Sequence, residues 1–134
     1  MSIAALVTWV ITAGFGFFML IRWATRGGLR KVAGAETHLP PARVLTHFGL
    51  AAAGLIVWII YLVTGATLLA WIAVADLVLV AILGVVMVRQ WAKDGRAAMA
   101  AATAGAAPSG AGGPDLAEQH IPRPPVVLHG IFAV

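Results

Sequence analysis

The chain has 134 residues, of which 61% are hydrophobic and only 10% are charged. This apolar share is far above that of a soluble globular domain. The absence of cysteine excludes disulfide frameworks and thiolate metal sites. Nine basic residues against five acidic ones could suggest a nucleic-acid partner. However, the charges are separated by long uncharged runs, and this pattern predicts an integral membrane protein that does not bind nucleic acid.

The first predicted element is a membrane span over about Ile3 to Trp23. Residues 1–21 contain no charged side chain, and the first basic residue, Arg22, follows the apolar run. A signal peptide has the opposite order, with positive charge before its apolar region and a cleavage site after it. The segment is therefore predicted to remain in the protein as a helix.

Two further spans are predicted between Val44 and Val88, a stretch in which Asp76 is the only charged residue. About 20 residues cross a bilayer as a helix, so this stretch is long enough for two spans. The polar, glycine-containing Thr64–Thr67 segment is the natural break between helices. The second span then covers about Pro41 to Val63, and the third about Leu68 to Gln90.

The remainder of the chain predicts a linker followed by a short apolar segment. Residues 97–115 are rich in alanine, glycine, serine and proline, a composition typical of a flexible linker. The segment Pro124–Val134 is apolar but too short to cross a bilayer. We predict that it is the first half of a truncated fourth helix, continued beyond Val134. The alternative is a half-helix tucked against the bundle.

The basic residues predict the orientation of the chain. All of them fall in two long loops or at the edges of those loops, and lysine and arginine mark the cytoplasmic face of a membrane. The prediction is a multi-pass protein of the cell inner (plasma) membrane. Its N-terminus lies outside, and both long loops lie in the cytoplasm.

Two phrases recur along the chain and predict an internal repeat. "ETHLPPARVLTH" and "EQHIPRPPVVLH" align without a gap, and "MLIRWATRG" aligns with "MVRQWAKDG". Tandem duplication would give repeat one over about 3–63 and repeat two over about 68–134. Both copies would begin on the same side of the membrane, so they would be parallel repeats. The predicted fold class is therefore an all-α membrane protein, a four-helix transmembrane bundle built from two tandem helical-hairpin repeats.

The repeat identifies the histidines as candidate metal ligands. His47 and His129 are predicted to lie less than about 10 Å inside their helices, measured from the inner face. As a pair they could ligate haem b from both sides, and the larger set could bind a divalent transition metal. Two alternatives stay open: interfacial histidines that bond carbonyls or lipid phosphate, and a protonation switch. The larger set adds four residues: His38, His120, Glu36 and Glu118.

Asp76 is the second candidate for chemistry. It is predicted to lie near mid-bilayer, where a carboxylate is costly and often marks an ion path, a proton path or a contact with a partner. The alternative is a neutral, protonated carboxyl that bonds Thr8, Thr12 or a neighbouring carbonyl. This alternative predicts a role in packing only.

The bias toward alanine, glycine, valine and arginine, together with "HIPRPPVVLHGIFAV", carries a resemblance. The chain resembles small multi-helix integral membrane proteins of unknown function from high-GC bacteria, and this likeness implies no activity. Dihaem cytochrome-like bundles also place histidines near helix ends. They usually carry pairs at both membrane faces, whereas all four histidines here belong to the predicted inner side.

Three functions are compatible with these features. The sequence favours a non-enzymatic accessory or interaction subunit, with the bilayer and other membrane subunits or further copies of the chain as partners. The second hypothesis is a redox protein that binds haem or a transition metal at the cytoplasmic face. The third is a small proton-coupled transporter module that uses Asp76.

Overall fold

The computed structural model describes residues 2–29, 35–104 and 115–133, except for the side chains of Ser2, Ala35, Glu36 and Asp115. It contains four α-helices within these ranges. Three of them, with one adjoining turn, form segments long and apolar enough to cross a membrane. The prediction of an all-α membrane protein is confirmed at this level. The helices are α1 (Ser2–Trp23), α2 (Pro41–Thr64), α3 (Thr67–Thr103) and α4 (Arg123–Phe132).

Helix α2 begins and ends where local chemistry dictates. Pro41 occupies the first turn, where the missing N–H costs little. Gly65 ends the helix in the left-handed region, at φ 70°, and its N–H donates to the Tyr61 carbonyl at 2.8 Å. Only Gly65 and Ala66 separate α2 from α3. The predicted break at Thr64–Thr67 is therefore confirmed.

Helix α3 is longer than the sequence predicted. It continues beyond Gln90 to Thr103 and includes the start of the segment interpreted as a flexible linker, residues 97–115. Alanine is the strongest helix former, so the alanine-rich stretch extends the helix. Residues 105–114, which make up most of the rest of that linker, lie outside the described part of the chain.

The two long loops meet at one end of the bundle. Helix α1 leads into a turn, Ala24–Gly28, in which Gly27 has a φ of 96°. Strand β1 (Ala35–Glu36) pairs in parallel with strand β2 (Asp115–Leu116). A single turn of 3₁₀ helix, Ala117–His120, then leads toward α4. Residues before α2 and before α4 are thus held beside each other.

The helix pairing differs from two consecutive hairpins. The most extensive contacts join α2 to α3 and α1 to α4, while α1 and α2 touch less. The two-residue connection forces α2 and α3 to be antiparallel neighbours, which explains the first pairing. The second helix of each predicted repeat therefore packs on the first helix of the other repeat.

Candidate functional site

His47 of α2 and His129 of α4 face each other between the helices, with ring centroids 6.2 Å apart. The Nδ1–H of His47 donates to the Val80 carbonyl of α3 at 3.0 Å. The Nδ1–H of His129 donates to the Thr12 carbonyl of α1 at 2.9 Å. Each ring is therefore fixed by the backbone of the helix on which it packs.

These hydrogen bonds determine the tautomer of both rings. A carbonyl oxygen only accepts hydrogen bonds, so each Nδ1 must carry the hydrogen, and in a neutral imidazole the Nε2 then offers a lone pair. Within the described part of the chain, Nε2 of His47 and of His129 forms no hydrogen bond. The pair thus presents two imidazole lone pairs without protein donors.

Two helical glycines make room for the rings. A Cβ at Gly16 of α1 would lie 2.9 Å from His129 Cε1, and a Cβ at Gly84 of α3 would lie 3.3 Å from His47 Cε1. Real Cβ atoms essentially never approach as closely as the first distance, and rarely as closely as the second. Glycine at these two positions lets each imidazole lie directly on the neighbouring helix.

A second polar cluster lies at the loop end of the bundle and centres on Glu118, which is fully buried. Its Oε2 accepts the hydroxyl hydrogen of Thr37 at 2.8 Å, and its Oε1 accepts the backbone N–H of His38 at 2.6 Å. The buried Trp23 donates its Nε1–H to the Thr37 oxygen at 3.2 Å. The glutamate therefore ties the segment before α4 to the segment before α2.

Asp94 of α3 completes this loop-end cluster. Its Oδ1 lies 2.9 Å from His38 Nδ1, and both of its oxygens accept from Gln90 Nε2, at 3.1 and 3.2 Å. One potential ligand atom from each of His38, Asp94 and Glu118 lies within 4.8 Å of the others. Sequence reasoning missed Asp94, because its counterpart in the other Met–Trp phrase is Arg26. The sequence did offer one indication of this role, because Asp94 is an acidic residue one helical turn after the polar Gln90.

The structure divides the predicted six-residue set. His38 and Glu118 share the loop-end cluster, whereas His47 and His129 form a separate pair. His120 points elsewhere: its Nδ1 lies 3.4 Å from the Leu116 carbonyl, and its own carbonyl accepts from Arg22 Nη2 at 3.4 Å. The Glu36 side chain lies outside the described residues.

Asp76 of α3 packs against the backbone of Gly54 in α2, where a Cβ would overlap Asp76 Oδ2. This oxygen is buried and has no hydrogen-bond partner within the described part of the chain. The hydroxyls of Thr8 and Thr12 instead donate to carbonyls of their own helix, those of Ala5 and Thr8, at 2.9 Å each. Neither threonine hydroxyl therefore supplies the hydrogen bond to Asp76 that the sequence suggested.

Comparisons with known protein families, with curated proteins and with solved structures find no match to this chain. The geometry of its own residues is therefore the basis for inferring its function.

Proposed function

We propose that this chain is a haem-binding redox protein of the membrane, with His47 and His129 as the two axial ligands of a haem b iron. The observation that carries the proposal is the pair of facing imidazoles, each anchored through Nδ1 to a carbonyl. A metal-binding histidine almost always donates its other ring N–H in this way, because the bond fixes both tautomer and ring orientation. Haem iron is commonly held by such histidines.

The separation of the rings supports a single metal between them. A metal–imidazole nitrogen bond is about 2.0–2.1 Å long. Two imidazoles on opposite sides of one ion, with the size of each ring added, therefore have centroids about 6 Å apart. The observed centroid distance is 6.2 Å.

Haem fits the number and charge of the ligands better than a bare ion does. A bare zinc or similar ion takes four ligands in most protein sites. Within the described residues, the one group of three or more metal-ligating side chains is the loop-end cluster, which does not include this pair. Imidazole ligands bring no negative charge to balance a bare divalent ion, and such a charge is costly in a membrane. The porphyrin brings its own four nitrogens and its own negative charges.

The proposed tandem duplication is supported by the contacts of the two rings. The acceptor carbonyls, Thr12 and Val80, are separated by the same offset as the two Met–Trp phrases. Gly16 and Gly84, the residues beneath the rings, share that offset as well. We infer two parallel repeats that exchange their second helices, so each histidine packs on the other repeat. The two ligands are then equivalent partners.

The proposed orientation puts the long loops in the cytoplasm of a bacterial-type inner membrane. All nine basic residues lie in those loops or at their edges. Cysteines introduced at Ser2 and Gly65 should react with an impermeant thiol reagent in intact cells, and one at Gly112 should not. Labelling confined to Gly112 would reverse the orientation.

Removal of either axial histidine tests the proposed function. Protein expressed with haem precursor and iron should show a Soret band and a pyridine haemochromogen spectrum typical of haem b. His47→Ala and His129→Ala should each abolish both signals, and the double variant should lose nothing further, because one lost ligand already destroys the site. Metal analysis of the same samples measures iron.

His120→Ala is the matched control, since His120 lies outside the pair, and it should retain the spectrum. Wild-type protein that carries no haem under these conditions would overturn the proposal. Stoichiometric metal without a Soret band would reassign the pair to a bare ion.

The accessory-subunit hypothesis takes second rank, because the anchored imidazole pair supports a cofactor site directly. One observation favours a proton-coupled role for Asp76: its Oδ2 is buried and has no hydrogen-bond partner within the described residues. Reconstituted vesicles would test it. Proton flux driven by a pH gradient should then be present with wild-type protein and absent with Asp76→Asn.

A further inference from the structure

Beyond the haem site, we propose that the loop-end cluster of His38, Asp94 and Glu118 binds one divalent first-row transition-metal ion. This site shares no ligand with the His47–His129 pair. It therefore stands independently of the proposed haem.

The three side chains come from three different segments and converge. Asp94 belongs to α3, Glu118 to the 3₁₀ turn, and His38 to the segment before α2. One donor atom from each lies within 4.8 Å of the others. Ligands bound about 2.0–2.2 Å from one ion lie somewhat closer together than this. Small rotations of the side chains would therefore bring all three donor atoms into one coordination sphere.

The charges of the cluster favour a cation. Glu118 is fully buried and Asp94 is 9% exposed. The donors to Glu118 are a hydroxyl and a backbone amide, which carry no net charge. Across the described residues, the one ion pair found is between His38 and Asp94. Among the described residues, no lysine or arginine forms an ion pair with either carboxylate, although Arg123 lines the cavity beside them. A buried carboxylate is costly unless it is paired or binds a metal.

A cavity of about 320 Å³ opens beside the two carboxylates. Both Asp94 and Glu118 line it, together with Trp91 and Arg123. Two of the three proposed ligands thus border open space, and a site with three protein ligands and one open coordination position can accept water or an exchangeable ligand. Metal can reach the cluster through this cavity.

The ligand types select the class of metal. Mg²⁺ and Ca²⁺ take oxygen ligands, whereas an imidazole with carboxylates suits zinc, iron or manganese. His38 must be a neutral imidazole to ligate the metal, so binding releases a proton from the imidazolium form and weakens at low pH. From the neutral form no proton is released, because a hydrogen on the ligating nitrogen moves to the other ring nitrogen.

Zinc titration of the purified full chain tests the site. The protein is treated with chelator, and Zn²⁺ binding is measured by competition with a fluorescent zinc indicator in detergent. Wild type should bind one Zn²⁺, and Asp94→Asn, which keeps the shape of the side chain, should weaken binding by about tenfold or more. His38→Gln should do the same. Excess Mg²⁺ should not compete.

Two comparisons keep this result specific. His120→Gln should bind Zn²⁺ as wild type does, because its side chain lies outside the cluster. Zn²⁺ should also raise the unfolding temperature of wild type but not of Asp94→Asn. The proposal is overturned if chelator-treated wild type binds no Zn²⁺, if both cluster variants bind it as tightly as wild type, or if Mg²⁺ displaces it equally.

Discussion

The histidine pair and the loop-end cluster are built from the same repeated phrases, yet they differ in symmetry and charge. In the pair, each imidazole donates to a backbone carbonyl and lies on a glycine, and the two sets of contacts correspond. In the cluster, His38 contacts Asp94, which also accepts a hydrogen bond from Gln90. The backbone carbonyl of His120 instead accepts from Arg22. The loop-end cluster is asymmetric because Asp94 has no acidic counterpart in the first half of the chain.

This comparison separates two ways of holding a histidine. Between the apolar helices, the rings are fixed by backbone carbonyls and glycines, which bring no charge into the apolar region. At the loop end, the groups around His38 include two acidic side chains. A neutral ligand pair suits a cofactor that carries its own charge, and a charged cluster suits a bare cation.

The largest predicted effect comes from the glycines beneath the rings. Gly16→Val places a side chain where His129 now lies, because even a Cβ would come within 2.9 Å of the ring. Gly84→Val does the same to His47. Each change should weaken haem retention by about tenfold or more, comparable to loss of a supporting contact in a metal site. The Soret absorbance per mole of folded protein measures this.

Gly14→Val is the control for this prediction, since a Cβ at Gly14 meets nothing within 4 Å. It should keep its haem. If Gly84→Val retained haem while Gly16→Val lost it, the two histidines would not be equivalent, and the symmetric description of the pair would fail.

The sequence predicted the helical elements well where hydropathy and turn chemistry agreed. Span two is predicted at Pro41–Val63 and is observed as Pro41–Thr64. Proline at the start and glycine at the end are local signals that depend on few neighbours. The end of α3 was predicted poorly, because alanine-rich sequence suits both a linker and a helix.

The candidate site was predictable only in part. The recurrence of the histidine phrase predicted His47 and His129 as partners, and the structure places their ring centroids 6.2 Å apart. The same argument grouped His38 with His120, which the structure separates, and it could not find Asp94. Asp94 has no acidic counterpart in the other Met–Trp phrase, where Arg26 stands at the matching position. Its role depends on the tertiary contact between α3 and the segment before α2, which no local pattern encodes.

A smaller effect is predicted at the loop end from Gly28, which lies on the buried indole of Trp23. A Cβ at Gly28 would overlap that ring, and forced overpacking of this kind costs typically about 1–3 kcal/mol. Gly28→Ala should lower the thermal unfolding temperature of the detergent-solubilised protein. The axial histidines should still bind haem at lower temperature, because the substitution lies in the other region.

Gly95→Ala is the paired control, because Gly95 lies within α3 and a Cβ there meets nothing within 4 Å. Alanine is favoured over glycine inside a helix by about 0.5–1 kcal/mol, so this variant should be slightly stabilised. Equal destabilisation by both substitutions would mean that the Trp23 contact is not the cause.

The smallest effect is predicted for Asp76, which lies within the apolar part of α3 and belongs to neither region. A charged carboxylate is expensive at this depth, so a neutral carboxyl is expected. Asp76→Asn replaces that group with one of the same shape and no charge, and should change the unfolding temperature and the expression level little. Asp76→Ala is the matched comparison, because it empties the space beside Gly54 and should cost more. Collapse of Asp76→Asn to the level of Asp76→Ala would show that the charge is required, and would assign Asp76 to an ion or proton path rather than to packing.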